Sequence, residues 1–204
     1  MSAAGKVCTG FSKPYVAIYT NNGGNVTYSK GRILARGVNV SIEPEVAGDN
    51  TFYADNIAAE TSPGVFTGGN VTLTVDGLLQ AAEQLIMGLP TPEEITVGES
   101  EKVEVLAYGD GMHIPYVGIG FIVRYQSDGI ESFSPVVLTK ARFQTPSSDA
   151  ETQEEEINWQ TQELTATLMR DDTPNHNWKK VAADQSTEEG AETVLKAMLG
   201  VQNV

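Results

Sequence analysis

Strict alternation of apolar and polar residues is the feature that most limits what this chain can fold into. In "NVTLTVD" (70–76), Val71, Leu73 and Val75 share one parity, and Asn70, Thr72, Thr74 and Asp76 share the other. In "GVNVSIE", Val38, Val40 and Ile42 alternate with Asn39 and Ser41. Strand side chains project alternately to two faces, so such stretches read as strands with one buried face. "PYVAIYT" (14–20) is rich in β-branched and aromatic residues, and "EKVEVLAY" (101–108) alternates at Val103, Val105 and Ala107. "YVGIGFIVRY" (116–125) gives one face to Val117, Ile119, Phe121 and Val123. Its other face carries Gly118 and Gly120, which let a neighbouring group come close. Asp128-Gly129 is a hairpin turn signal, and "PVVLTKARF" (135–143) reads as the return strand.

A late strand changes phase. Ile157, Trp159 and Thr161 share one parity, while Leu164, Ala166 and Leu168 share the other. A bulge near Gln162 and Glu163 would keep both halves on the core, with Trp159 buried. "NHNWKKV" (175–181) reads as a turn and a short strand with Lys179 and Lys180 solvated. Helical spacing predicts a helix over 78–87, capped by Asp76 and stopped by Gly88, and a short C-terminal one over 187–199. Ser186 and Glu189 have capping-box spacing at the start of the latter, and Gly200 follows it. The excursion over 43–69 has weak periodicity. Its Phe52, Tyr53, Ile57, Val65 and Phe66 need something to bury against, and another subunit is one candidate. The expectation is one domain over 1–204: mainly β, a β-sandwich or partial barrel, with one flanking helix, a long loop and the short C-terminal helix.

Charge is distributed unevenly. The chain of 204 residues has 13 Lys plus Arg against 27 Asp plus Glu, a net −14. Residues 1–42 carry Lys6, Lys13, Lys30, Arg32 and Arg36 and no acid, while 149–172 hold eight acids and Arg170. A chain this acidic should not adsorb to DNA or to an anionic membrane. The split fits solvated faces of opposite sign, or basic surface on one copy meeting acidic surface on another. On the second reading Lys30, Arg32 and Arg36 project together from a strand as an assembly contact. Glu154, Glu155, Glu156 and Glu163 are the candidate acidic face.

No catalytic or metal signature appears. His113 and His176 have no second His or Cys at ligand spacing, which argues against zinc. Asp49, Asp55 and Asn56 lack the order of an EF-hand. No nucleophile elbow, phosphate loop or dinucleotide fingerprint is present. The expectation is a non-enzyme without a cofactor. Cys8 is the only cysteine, no apolar run is long enough to span a membrane, and the N-terminus lacks a secretory signature. The sequons at Asn25, Asn39 and Asn70 read as strand chemistry. A hydrolase using two of the many carboxylates is the third-ranked reading. An immunoglobulin-like module binding a carbohydrate or cell-surface ligand is the second.

The first-ranked reading comes from a resemblance. "TFYADNIAAE" (51–60), "NVTLTVDGLLQAAEQLIMG" (70–88), "YVGIGFIVRYQSDG" with "VVLTKARFQTPSSDAETQEEEINWQTQELTATLM" (116–169) and "STEEGAETVLKAML" occur in one order over most of the chain. In that order they resemble the major tail protein, or tail tube protein, of long-tailed bacteriophages with non-contractile tails. The segments 88–100 and 109–115 do not follow that pattern. The resemblance implies a sandwich flanked by a helix, hexameric rings, a continuous inner barrel of shared strands, and stacking into a tube for DNA ejection. It further implies tape measure, tail terminator and distal tail proteins as partners, and the virion as location. Contacts between subunits and rings would come from the 43–69 segment, with Phe52, Tyr53, Asp55, Asn56, Ile57, Glu60 and Phe66 as candidates. Double-stranded DNA would pass without specific binding, because an acidic lumen repels phosphate.

Overall fold

Two strands buried on both faces form the centre of the molecule. The structure is a computed structural model that describes residues 5–98, 100–147, 152 and 159–201. Asp128 and Gly129, left-handed at φ 50° and 78°, join β9 (Val117–Ser127) to β10 (Ile130–Phe143) in a two-residue turn. β1 (Val7–Asn22) pairs with β9, and β2 (Asn25–Ile33) returns along β1 after Gly23-Gly24. On its other edge β10 meets β12 (Lys179–Val181) along Val136–Leu138 and β11 (Gln162–Met169) along Lys140–Phe143. β11 pairs with β6 (Phe66–Val75), and β6 with β3 (Gly37–Val46). Every pairing is antiparallel, in the order β2-β1-β9-β10-β11-β6-β3. The protein is mainly β with flanking helices, as the alternation predicted.

The sheet curls onto itself. Val16, Ile119, Phe121 and Leu138 from one half share a core with Val71, Leu73, Leu164 and Leu168 from the other. The two halves meet where the Phe11 ring covers Gly37 so closely that a Cβ there would overlap it. A bulge in β10 keeps its inward residues on this core. Leu138 pairs with Ile119 but Ala141 with Val117, so Thr139 and Lys140 absorb an extra residue. Thr139 is fully buried there, and its Oγ1 donates to Asn177 O at 2.6 Å.

The helices reverse their expected weights. α1 (Gln80–Met87) closes one end of the core with Ala82, Leu85, Ile86 and Met87. It starts two residues later than predicted, because Asp76 is not its cap. Asp76 instead accepts from Arg36 N at 3.0 Å and pairs with the Arg36 guanidinium. Leu79 occupies the cap position without a side-chain bond. Gly88 ends the helix at φ 59°, against His113 O, where a Cβ has no room. α2 (Glu188–Met198) is the longer helix and lies flat on the outer face of β9 and β10. Thr187, rather than Ser186, caps it, accepting from Gly190 N at 3.1 Å. Since Gly190 occupies the third helical position, the Ser186–Glu189 box does not form.

Gly118 and Gly120 explain how α2 comes so close. A Cβ on Gly120 would lie 2.6 Å from Leu199 Cδ1 and 2.7 Å from Leu195 Cδ1. On Gly118 it would meet the Tyr28 ring at 2.5 Å. Tyr15, Ala17, Ile122, Phe133 and Val137 complete this second core.

Two segments expected to be irregular, or only partly strand, form hairpins. The 43–69 excursion is not a loop. β3 runs on to Val46, β6 begins at Phe66, and β4 (Asn50–Ala54) pairs with β5 (Ile57–Ser62) between them. β7 (Glu93–Val97) pairs with β8 (Glu101–Val105), so the 101–108 strand belongs to a separate two-stranded sheet and stops at Val105. The late strand also differs from expectation. It begins at Gln162, and Trp159 is 83% exposed outside any strand. Ile157 lies outside the described residues.

Gly120→Ala should destabilise the fold by about 1–3 kcal/mol, because the added methyl overpacks the helix–sheet contact. Urea denaturation should show this, and adding Leu199→Ala should make the methyl less costly by emptying the space it enters. An equal penalty in both backgrounds would rule out the contact as the cause.

Candidate assembly surfaces

The β4–β5 hairpin carries most of the residues singled out in 43–69. Its tip is Asp55-Asn56, both left-handed at φ 51° and 64°, which makes a two-residue turn between Ala54 and Ile57. Polar tip residues suit this turn because short Asp and Asn side chains tolerate positive φ. These two residues therefore shape the arm. Cross-strand pairing places Phe52 beside Glu60 and Ala54 beside Ile57 on one face, with Tyr53 beside Ala58 on the other. Phe52, Tyr53 and Ile57 are 66%, 66% and 69% exposed, so both faces present apolar surface to solvent. A two-stranded ribbon alone is marginal in water.

Phe66 belongs elsewhere. It opens β6, packs against the main core and stacks on Trp178 with ring centroids 4.9 Å apart and planes 8° from parallel. Val65, just before it, is 65% exposed.

The three candidate cations do not act as one. Arg36 lies in the β2–β3 connection and is tied to Asp76, holding that carboxyl below its usual range. Arg32 donates from Nη1 to Ala81 O at 2.8 Å, fastening the end of β2 to the start of α1. Lys30 sits at φ 54° in a bulge: Val16 pairs with Arg32 but Ile18 with Ser29, so Lys30 and Gly31 oppose Ala17. This bulge breaks the strand period on which a common projection depended. Lys6 and Lys13 are paired within the chain, to Asp184 at 2.9 Å and Glu192 at 3.2 Å. Much of the basic N-terminal surface is thus neutralised internally. Glu163 is exposed on β11 opposite Thr74, on the face away from Leu164. Glu154, Glu155 and Glu156 lie outside the described residues.

Partly buried charge networks tie the frame together. Glu192 on α2 accepts from Tyr15 Oη at 2.6 Å and pairs with Lys196 at 2.9 Å and Lys13 at 3.2 Å. The Tyr15 hydroxyl first, then Lys196 and Lys13, pull its carboxyl from 4.5 down to about 2. Asp172 joins Tyr19 Oη and Lys140 Nζ, both at 2.7 Å, and is held low chiefly by Lys140. Burial pushes Tyr19 up to about 12. Lys140 Nζ also sits 4.8 Å from the Tyr116 ring centroid and 5.1 Å from that of Tyr19. Each network joins elements distant in sequence, and of their pairs only Glu192–Lys196, at i,i+4 on α2, has a spacing that marks it.

Among the described residues, no group of three His, Cys, Asp or Glu is placed to hold a metal, and no helix is long and apolar enough to cross a membrane. No protein-family model matches the chain, and no curated protein matches it in sequence.

Glu192→Gln should cost about 1 kcal/mol near neutral pH, the usual worth of charge-assisted bonds at a partly shielded site. The folded carboxyl titrates below its ordinary value, so the wild-type advantage holds above 4.5 and fades as pH falls toward about 2. Denaturant titrations across that window check it; a gap independent of pH would mean that the carboxylate's charge is not what matters.

Proposed function

We propose that the chain is a structural subunit that assembles with copies of itself into rings stacked as a phage tail tube, a conduit for DNA. The observation that carries this reading is the β4–β5 arm, with Phe52 and Tyr53 exposed on opposite faces of a ribbon that touches little of its own chain. Exposed apolar ribbons need cover, and a homo-oligomer supplies it from neighbouring copies. The open edges of the main sheet, β2 and β3, suit strand sharing between subunits. The order of segments resembling tail tube proteins gives the assembly its form. The family's tape measure, tail terminator and distal tail proteins are the proposed partners at the tube's ends. The net charge of −14 suits a wall along which phosphate slides.

Negative-stain microscopy of concentrated protein tests the reading directly: rings or tubes of uniform diameter are expected. Hydrogen exchange on the same material should show the amides of 43–69 more protected in the assembly than in the monomer. A protein that stays monomeric, or an arm equally protected in both states, would overturn it.

Assembled tubes should also fail to retain double-stranded DNA on a filter at moderate salt. Tight retention that weakens steeply with added salt would contradict an acidic, non-adhesive conduit.

A further inference from the structure

The β7–β8 hairpin gathers four aliphatic side chains on one of its faces. Pairing sets Ile95 beside Val103 at the centre of that face, with Val97 beside Glu101 and Val105 beside Glu93 at its two ends, and Glu94, Thr96, Lys102 and Glu104 on the other face. The four aliphatic side chains remain 38–48% exposed. The ribbon belongs to neither hydrophobic core. Four aliphatic side chains clustered on one face suit a buried contact, and within the chain that cluster stays partly exposed.

An apolar groove of about 340 Å³ opens where the curled sheet fails to close, between β1 and β9 on one side and β3 and β12 on the other. Phe11, Val38, Val40, Val123 and Val181 line it, with Lys179 at its rim. Val38 and Val181 are more than half exposed. Lys180, between Lys179 and Val181 on β12, projects from the other face toward Asp171.

We infer that the apolar face of β7–β8 docks in this groove on a second copy of the chain. Charge complementarity selects the occupant. The segment 93–105 has five acids and one lysine, a net −4, and its end acids Glu93 and Glu101 would meet the Lys179 ammonium at the rim of the groove. Packing against the β4–β5 arm instead would bring Asp55 and Glu60 toward the same acids. Hairpin and groove are different surfaces, so the contact is heterologous and can close a ring. A five-residue ribbon is only about 17 Å long. It falls well short of the roughly 800 Å² per partner of a stable interface, so it adds to other contacts within an assembly. The inference therefore rests on the self-assembly proposed above.

Cys8, the chain's single cysteine, is exposed and lines the groove, which makes it a built-in probe. Ile95→Cys and Val103→Cys, made separately, would be treated in the assembled state with a short bismaleimide. At least one should give a ladder of covalent multimers in denaturing electrophoresis. That ladder should vanish when Cys8→Ser is added, and it should be absent for Thr96→Cys on the polar face. Assemblies that form normally without a Cys8-dependent ladder overturn the docking but leave self-assembly standing. So does a covalent dimer that forms without Cys8, since it would mean hairpin against hairpin. Wild-type protein that remains monomeric at the highest attainable concentration removes both.

Discussion

Everything else in the fold depends on β9 being thin on one face. Gly118 and Gly120 remove the side chains that would hold α2 away, while Val117, Ile119 and Phe121 fill the core beneath. One strand thereby carries two cores back to back. Two-sided burial is uncommon in antiparallel sheets, which often leave one face to water. Here it fixes the C-terminal helix against the centre of the sheet, and the Tyr15–Glu192–Lys196 network holds the helix's polar side against β1.

This rigid frame contrasts with the two hairpins that leave it. The frame gives several of its shielded polar groups specific partners: Tyr28 Oη donates to Thr139 O at 2.8 Å, and Tyr19 is joined to Asp172. Among the described residues, the arms show cross-strand bonds and surface contacts within each ribbon, such as Thr51 Oγ1 3.3 Å from Thr61 Oγ1. Their apolar residues contribute little to the monomer. A chain built in this way keeps its own fold and has apolar surface left over, which is the basis on which a structural role is proposed for it.

Opposite charges illustrate the same division. The N-terminal cations looked like a basic patch awaiting an acidic partner on another copy. Lys6, Lys13 and Arg36 instead meet acids at positions 184, 192 and 76 of their own chain. Net charge along a sequence is blind to these pairings, because they join residues up to 179 positions apart, as between Lys13 and Glu192.

The sequence by itself determined the elements whose local pattern and tertiary role agree. Alternation placed Val71, Leu73 and Val75 and Leu164, Ala166 and Leu168 inward, Asp128-Gly129 marked the central turn, and Gly88 marked the end of α1. It also placed the two glycines of β9 beneath a neighbour without saying which. Tertiary structure decided the rest. The hairpin β4–β5 was hidden because apolar residues on both faces of an exposed ribbon give no period-two signal, although Asp55-Asn56 marks its turn. Asp76 could serve a helix or an arginine, and only the approach of the β2–β3 connection chose Arg36. Trp159 was expected inside from its parity, yet the ladder with β6 starts at Gln162 and leaves it outside. A strand's periodicity specifies which residues share a face; only its partners specify where the strand begins and what that face meets.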